Sequence, residues 1–89
     1  MSMLPQGHVH LSPGFQLIWE EDRQSYVLMH TGGTVPLQPG QEEILKRCNG
    51  SLSIEEIVED MQQQQSDSNP DEVREFLKVA YANDWIHGQ

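Results

Sequence analysis

Two helix starts lie close together in the second half of this chain, and they constrain the fold more than anything else. Ser53-Ile-Glu-Glu56 is a capping box: the Ser53 hydroxyl suits the Glu56 N–H, and the Glu56 carboxylate reaches back to the Ser53 N–H. Behind it Ile54, Ile57, Val58 and Met61 repeat at i, i+3, i+4, i+7. Just ahead, Gln41 to Cys48 places Ile44, Leu45 and Cys48 at helical spacing, and Asn49-Gly50 supplies a left-handed stop. Two helices this close in sequence form a helix–turn–helix pair. A third helix starts at Asn69, with Pro70 in its first turn and Glu72 placed to close a second capping box. Its buried stripe is Val73, Phe76, Leu77 and Ala80, and it ends near Asn83, with Trp85-Ile86 packing back on the core.

Ahead of residue 41 the period is that of strands. Phe15, Leu17 and Trp19 alternate, Ser25 to His30 is a second β-rich run across a charged turn, and Thr34 to Leu37 is a short third strand after Gly32-Gly33. Pro36 lacks an N–H, which places that strand at a sheet edge. Residues 1–13, with Pro5, Gly7 and Pro13, show no period and read as a flexible arm, leaving 14–89 as one domain. The expected class is α+β: a three-stranded N-terminal sheet followed by three helices, winged helix-turn-helix-like. An arm ahead of an unpaired edge leaves room for a homodimer by arm exchange.

Charge argues against the usual use of such a helix pair. There are 5 Lys plus Arg against 14 Asp plus Glu, a formal net charge of −9. The second helix carries Glu55, Glu56, Glu59 and Asp60 and no cation, where a phosphate-binding helix needs several. An acidic regulator that binds DNA or a regulatory protein is therefore the alternative rather than the leading reading, and neither nucleic acid nor an anionic membrane is an expected partner. No apolar run is long enough to span a bilayer, no basic-then-apolar start marks a secretory signal, and Cys48 is alone. These features point to the cytoplasm.

Chemistry-bearing patterns are sparse. His8, His10, His30 and His87 are scattered and do not make a zinc ligand set, so no metal or other cofactor is expected. No nucleophile motif occurs, and Glu20-Glu21, Glu42-Glu43 and Glu55-Glu56 are sequence neighbours that diverge on a helix. No catalytic residue is assigned, and the chain reads as a non-enzyme. Arg74, Lys78 and Tyr81 fall at i, i+4, i+7 beside the buried stripe of the third helix. They suggest a basic, aromatic rim to a groove whose other wall is the exposed strand Thr34 to Leu37. An extended peptide added to that edge gains main-chain hydrogen bonds, with the N–H groups of Val35 or Leu37 standing in for the missing donor of Pro36.

The stretch Glu43 to Val58 (EILKRCNGSLSIEEIV), with Val35-Pro-Leu-Gln-Pro-Gly40 before it and Phe76 to Ile86 (FLKVAYANDWI) after it, resembles the PqqD family. The likeness runs from about Leu11 to Ile86 and includes Phe15 to Glu21. That resemblance implies a peptide chaperone in pyrroloquinoline quinone (PQQ) biosynthesis, a recognition element for ribosomally made, modified peptides (RiPPs). Such a protein binds the precursor peptide PqqA and presents it to the radical-SAM enzyme PqqE, which crosslinks a Glu and a Tyr of the peptide. Carried onto this chain, the implied peptide groove comprises Thr34, Val35, Pro36 and Leu37 with Val73, Arg74, Leu77, Lys78 and Tyr81. One departure stands out: Asn83-Asp84 occupies a stretch where relatives often have Gly, so Asn83 is expected to take the left-handed turn.

Overall fold

Alternating apolar residues build the first sheet. In the computed structural model, which describes Leu4, Pro5 and residues 7–88, β2 (Gln16–Glu20), β3 (Ser25–His30) and β4 (Gly33–Pro36) pair antiparallel in that order. Leu17, Leu28 and Val35 lie opposite one another across the three strands and form one apolar row. Trp19 and Tyr26 form the next row, with their rings edge to face at 5.2 Å between centroids. This is the sheet expected from the sequence, with β4 at its edge.

A second sheet was not foreseen. β1 (His8–Leu11) is flanked by β5 (Asn49–Ser53) and β6 (Ile86–Gly88), again antiparallel. Residues 8–11, read from the sequence as part of an arm, are thus the central strand of a sheet, and Val9 is fully buried. The remainder of that expected arm includes Met1–Met3 and Gln6, which, like Gln89, lie outside the described residues. The turn of the helix pair is likewise a strand: β5 follows α1 (Gln41–Lys46) and leads into α2 (Ile54–Gln64). The element order is β-β-β-β-α-β-α-α-β rather than three strands followed by three helices.

The helix signals have the local causes read from sequence. Ser53 accepts from the Glu56 N–H at 3.3 Å, and the Glu56 carboxylate accepts from the Ser53 N–H at 2.8 Å. For α3 (Pro70–Ala82), the Asn69 side chain accepts from the N–H groups of Asp71 and Glu72. The reciprocal bond expected from Glu72 is absent among the described residues, so this end has a side-chain cap and not a full box. Ile57, Val58 and Met61 of α2 meet Val73, Leu77 and Ala80 of α3 in one core, joined by Leu45, Val9, Leu28 and Ile86. Arg47 ties α1 to α2: its Nε donates to Asp60 at 2.6 Å, and its Nη1 donates to the Glu43 carbonyl at 2.7 Å.

The end of α3 corrects one detail. Asn83 has φ −95°, and the left-handed residue is Asp84 at φ 61°. The Trp85 N–H donates to the Ala80 carbonyl and the Asp84 N–H to that of Tyr81, the double bond of a Schellman stop. An L side chain is disfavoured in that conformation and glycine is not. Asp84→Gly is therefore expected to stabilise the fold by roughly 0.5–1 kcal/mol, raising Tm by a few degrees in a thermal melt; a lower Tm would contradict the assignment.

Three carboxyls contribute to the acid sensitivity of the fold. Hydrogen bonds from Lys46, then Arg47, hold Glu43 below its ordinary value, the Arg74 guanidinium does the same for Glu55, and the Ser53 backbone and hydroxyl do so for Glu56. A carboxyl with a depressed folded-state pKa contributes stability that is complete above its unfolded value and is lost as pH falls through the folded one. With an ordinary value of 4.5, Tm is expected to hold from pH 7 to about pH 5 and to fall below that. A melt series that stayed flat to about pH 3 would overturn the claim.

Candidate functional site: the free edge of β4 against α3

The edge of β4 has a definite hydrogen-bonding polarity. The Leu37 N–H donates to the Tyr26 carbonyl at 3.4 Å, so the Leu37–Tyr26 pair is hydrogen-bonded. Antiparallel pairs alternate between bonded and non-bonded. Val35, opposite Leu28, therefore also turns its N–H and C=O toward β3, while Thr34 and Pro36, opposite Met29 and Val27, turn theirs outward. This corrects the expectation that Val35 or Leu37 would donate to an added strand, since the ladder already uses both. The free edge offers one donor, the Thr34 N–H, and two acceptors, the carbonyls of Thr34 and Pro36. Pro36 sits where its missing N–H costs the sheet nothing.

Beside this edge runs a shallow groove of ≈ 350 Å³ between Pro36-Leu37 and one flank of α3. Its floor is Leu37, Phe76 and Trp85, the two rings lying 6.3 Å apart between centroids. Val79, 43% exposed, forms its far wall, and Glu72, Glu75 and Gln41 its rim. A neighbouring hollow of ≈ 330 Å³ shares Gln41, Glu72 and Phe76 and continues toward Asp67 and Asn69 beyond α2. The two hollows adjoin at Gln41, Glu72 and Phe76 and together line a channel-like path from the edge of β4 toward the loop before α3.

The candidate residues divide accordingly. Thr34, Pro36 and Leu37 stand at the edge and the groove, and Val35 packs inward from β4 against the core. Val73 and Leu77 are buried, 4% and 0% exposed, and hold α3 in place from beneath. Arg74, Lys78 and Tyr81 lie on the other flank of α3. Arg74 makes a two-pronged contact with Glu55 of α2 at 2.8 and 3.0 Å, also pairing with Asp71. Lys78 and Tyr81 line a broad depression of ≈ 880 Å³ against His87 and Gly88 of β6. The flank that meets β4 is Glu72, Phe76 and Val79, spaced i, i+4, i+7 like Arg74, Lys78 and Tyr81 but on the opposite side of the buried stripe. The signal for it was present in the sequence; what was missing was the side on which α3 meets the sheet.

The remaining reactive groups are occupied or inert. Burial pushes the Cys48 thiol up to about 12, and its Sγ lies 3.5 Å from the Ile44 carbonyl. His30 stacks on Phe15, and His10 lies edge-on to His87. Among the described residues no three His, Cys, Asp or Glu side chains are grouped to hold a metal ion, and no helix is long and apolar enough to cross a membrane.

Comparison with known proteins identifies the class. No family model matches the chain. The solution NMR structure of the PqqD truncation of Methylobacterium extorquens PqqCD, described as a stand-alone RiPP recognition element, shares the fold. Its TM-score is 0.67 over 89% of this chain and 87% of that one, at 19% identity. The PqqA binding protein of Methylococcus capsulatus is 35% identical over 88 residues, covering 97% of this chain and 94% of its relative. That of Acinetobacter baylyi is 32% identical over 84 residues, 88% of this chain and 85% of its relative. A third, from Azotobacter vinelandii, is 35% identical over 78 residues, 85% of each. The fold is thus that of a small α+β domain seen in a recognition element. The chain belongs to the PqqD family.

Proposed function

We propose that this chain is a non-catalytic peptide chaperone of PQQ biosynthesis, acting in the cytoplasm, that binds the precursor peptide PqqA and presents it to the radical-SAM enzyme PqqE. The observation that carries the binding step is the unpaired edge of β4 standing over an apolar groove. An extended peptide there completes the outward hydrogen bonds of Thr34 and Pro36 and sets alternate side chains onto Leu37, Phe76 and Val79. Relatives that match nearly the whole chain are named as PqqA binding proteins, which supports both the ligand and a binding rather than catalytic role. In this reading α1 and α2 with the β2–β4 sheet act as a winged helix-turn-helix-like scaffold. The acidic α2 takes no nucleic acid.

The peptide contacts we assign are Thr34, Pro36 and Leu37 of the strand with Glu72, Phe76 and Val79 of the helix. Val35, Val73 and Leu77 support them from the core. An NMR titration of labelled protein with PqqA peptide is expected to shift the amides of Thr34, Leu37, Phe76 and Val79 most. Saturating peptide with no shift at any of these four would sink the proposal.

A further inference from the structure

We infer that the peptide strand taken by this groove carries a lysine or arginine next to its apolar residues, seated between Glu72 and Asp67. The inference rests on the strand-addition reading above and adds the chemistry of the ligand. The channel has two stretches of different character. Over Leu37, Phe76, Val79 and Trp85 it is apolar. Past Phe76 it becomes polar, and the charged side chains lining it there are Asp67 and Glu72. Along both stretches together the charged groups are Asp67, Glu72 and Glu75, with no Lys, Arg or His lining either.

All five Lys and Arg side chains of the chain are engaged with an acid. Arg74 is held by Glu55, Arg47 by Asp60, Lys46 by Glu43 and Arg23 by Glu20. Glu75 has Lys78 at 3.7 Å, whereas Glu72 and Asp67 have no ion-pair partner among the described residues. The larger depression beside β6 is different: it presents Glu75 and Asp84 together with Lys78 and His87, and so selects neither sign. The channel combines the open edge of β4, an apolar floor and carboxylates of one sign.

Direction follows from the sheet. A strand added antiparallel to β4, as every other pair in the two sheets is arranged, runs opposite to the Thr34→Pro36 sense. Its amino-terminal side then leaves past Leu37 over Gln41, Glu72 and Asp67. The cation therefore lies on the amino-terminal side of the apolar residues that fill the groove. A carboxylate there would meet two like charges, which makes the channel selective as well as attractive.

The test is a double-mutant cycle read by calorimetry at low salt with the full chain and PqqA peptide. Asp67→Asn with Glu72→Gln is expected to weaken binding about ten-fold, the scale of a charge-assisted contact, without lowering Tm. Replacing the peptide's lysines and arginines by glutamine one at a time should locate a single position that gives a similar loss on the wild type and little further loss on the double variant. Affinity of the double variant within about two-fold of wild type would overturn the inference, as would equal losses for every peptide, because the carboxylates would then act only through overall charge. A peptide without Lys or Arg that shifts Thr34 and Val79 at full affinity would overturn it too. If the intact peptide binds yet moves neither Thr34 nor Val79, the strand-addition reading itself falls, and this inference with it.

Discussion

Leu77→Ala is expected to cost about 3 kcal/mol of folding stability, within the range seen for fully buried Leu→Ala changes. For a domain of this size that lowers Tm by roughly 12–24 °C. Leu77 is fully buried in the middle of α3, in the cluster that joins α3 to Ile57, Val58 and Met61 of α2. Truncation removes apolar surface from the core and leaves a void that helices tied by caps at both ends close poorly. Val79, two residues on, is 43% exposed and provides the control: Val79→Ala should change stability by less than about 0.5 kcal/mol. A thermal melt of both variants checks the pair. Near-equal losses would mean that α3 is rotated from the orientation described, which would also misplace the groove.

The parts of the fold that the sequence made legible are those fixed by local chemistry. The Ser53–Glu56 box, the Asn69 cap and the spacing of Ile54, Ile57, Val58 and Met61 each act within a few residues, and both helices begin where these residues place them. The β2–β3–β4 sheet was equally legible, because alternation marks its strands and short turns join them. The second sheet was not. His8–Leu11, Asn49–Ser53 and Ile86–Gly88 are three to five residues each and are far apart in sequence. None is marked by a β-rich run; β5 and β6 are extended because each pairs with β1, which lies between them. Asn49-Gly50 reads as a helix stop, but α1 already ends at Lys46 with a right-handed Arg47 at its C-cap, and Asn49-Gly50, with Gly50 at φ 87°, instead begin β5. At the site, Thr34–Leu37 was legible as an edge because Pro36 cannot sit in a central strand. The partner flank of α3 was not, because the stripes through Phe76 and through Lys78 have the same spacing about Val73, Leu77 and Ala80. Only the packing of α3 against Leu37 and Trp85 chooses between them.

Thr34→Pro is expected to weaken peptide binding ten-fold or more while leaving Tm within about 3 °C of wild type. The substitution removes the one outward donor of β4 and puts a ring carbon where an added strand would place its carbonyl. Loss of a single hydrogen bond accounts for about 1 kcal/mol, and a proline on a free edge blocks strand pairing outright, as it does where edges are protected against association. The β3–β4 ladder is spared because the bonded pairs are those of Val35 with Leu28 and Leu37 with Tyr26. Val35→Pro is the opposite case: it removes an inward donor and a side chain packed on the core, so it should lower Tm markedly whether or not peptide binds. Calorimetry with PqqA peptide and a thermal melt on both variants separate the two roles. If Thr34→Pro bound the peptide with wild-type affinity, the ligand would not be an added strand on β4. The depression between α3 and β6, where Lys78 and Tyr81 lie, would then become the surface to test.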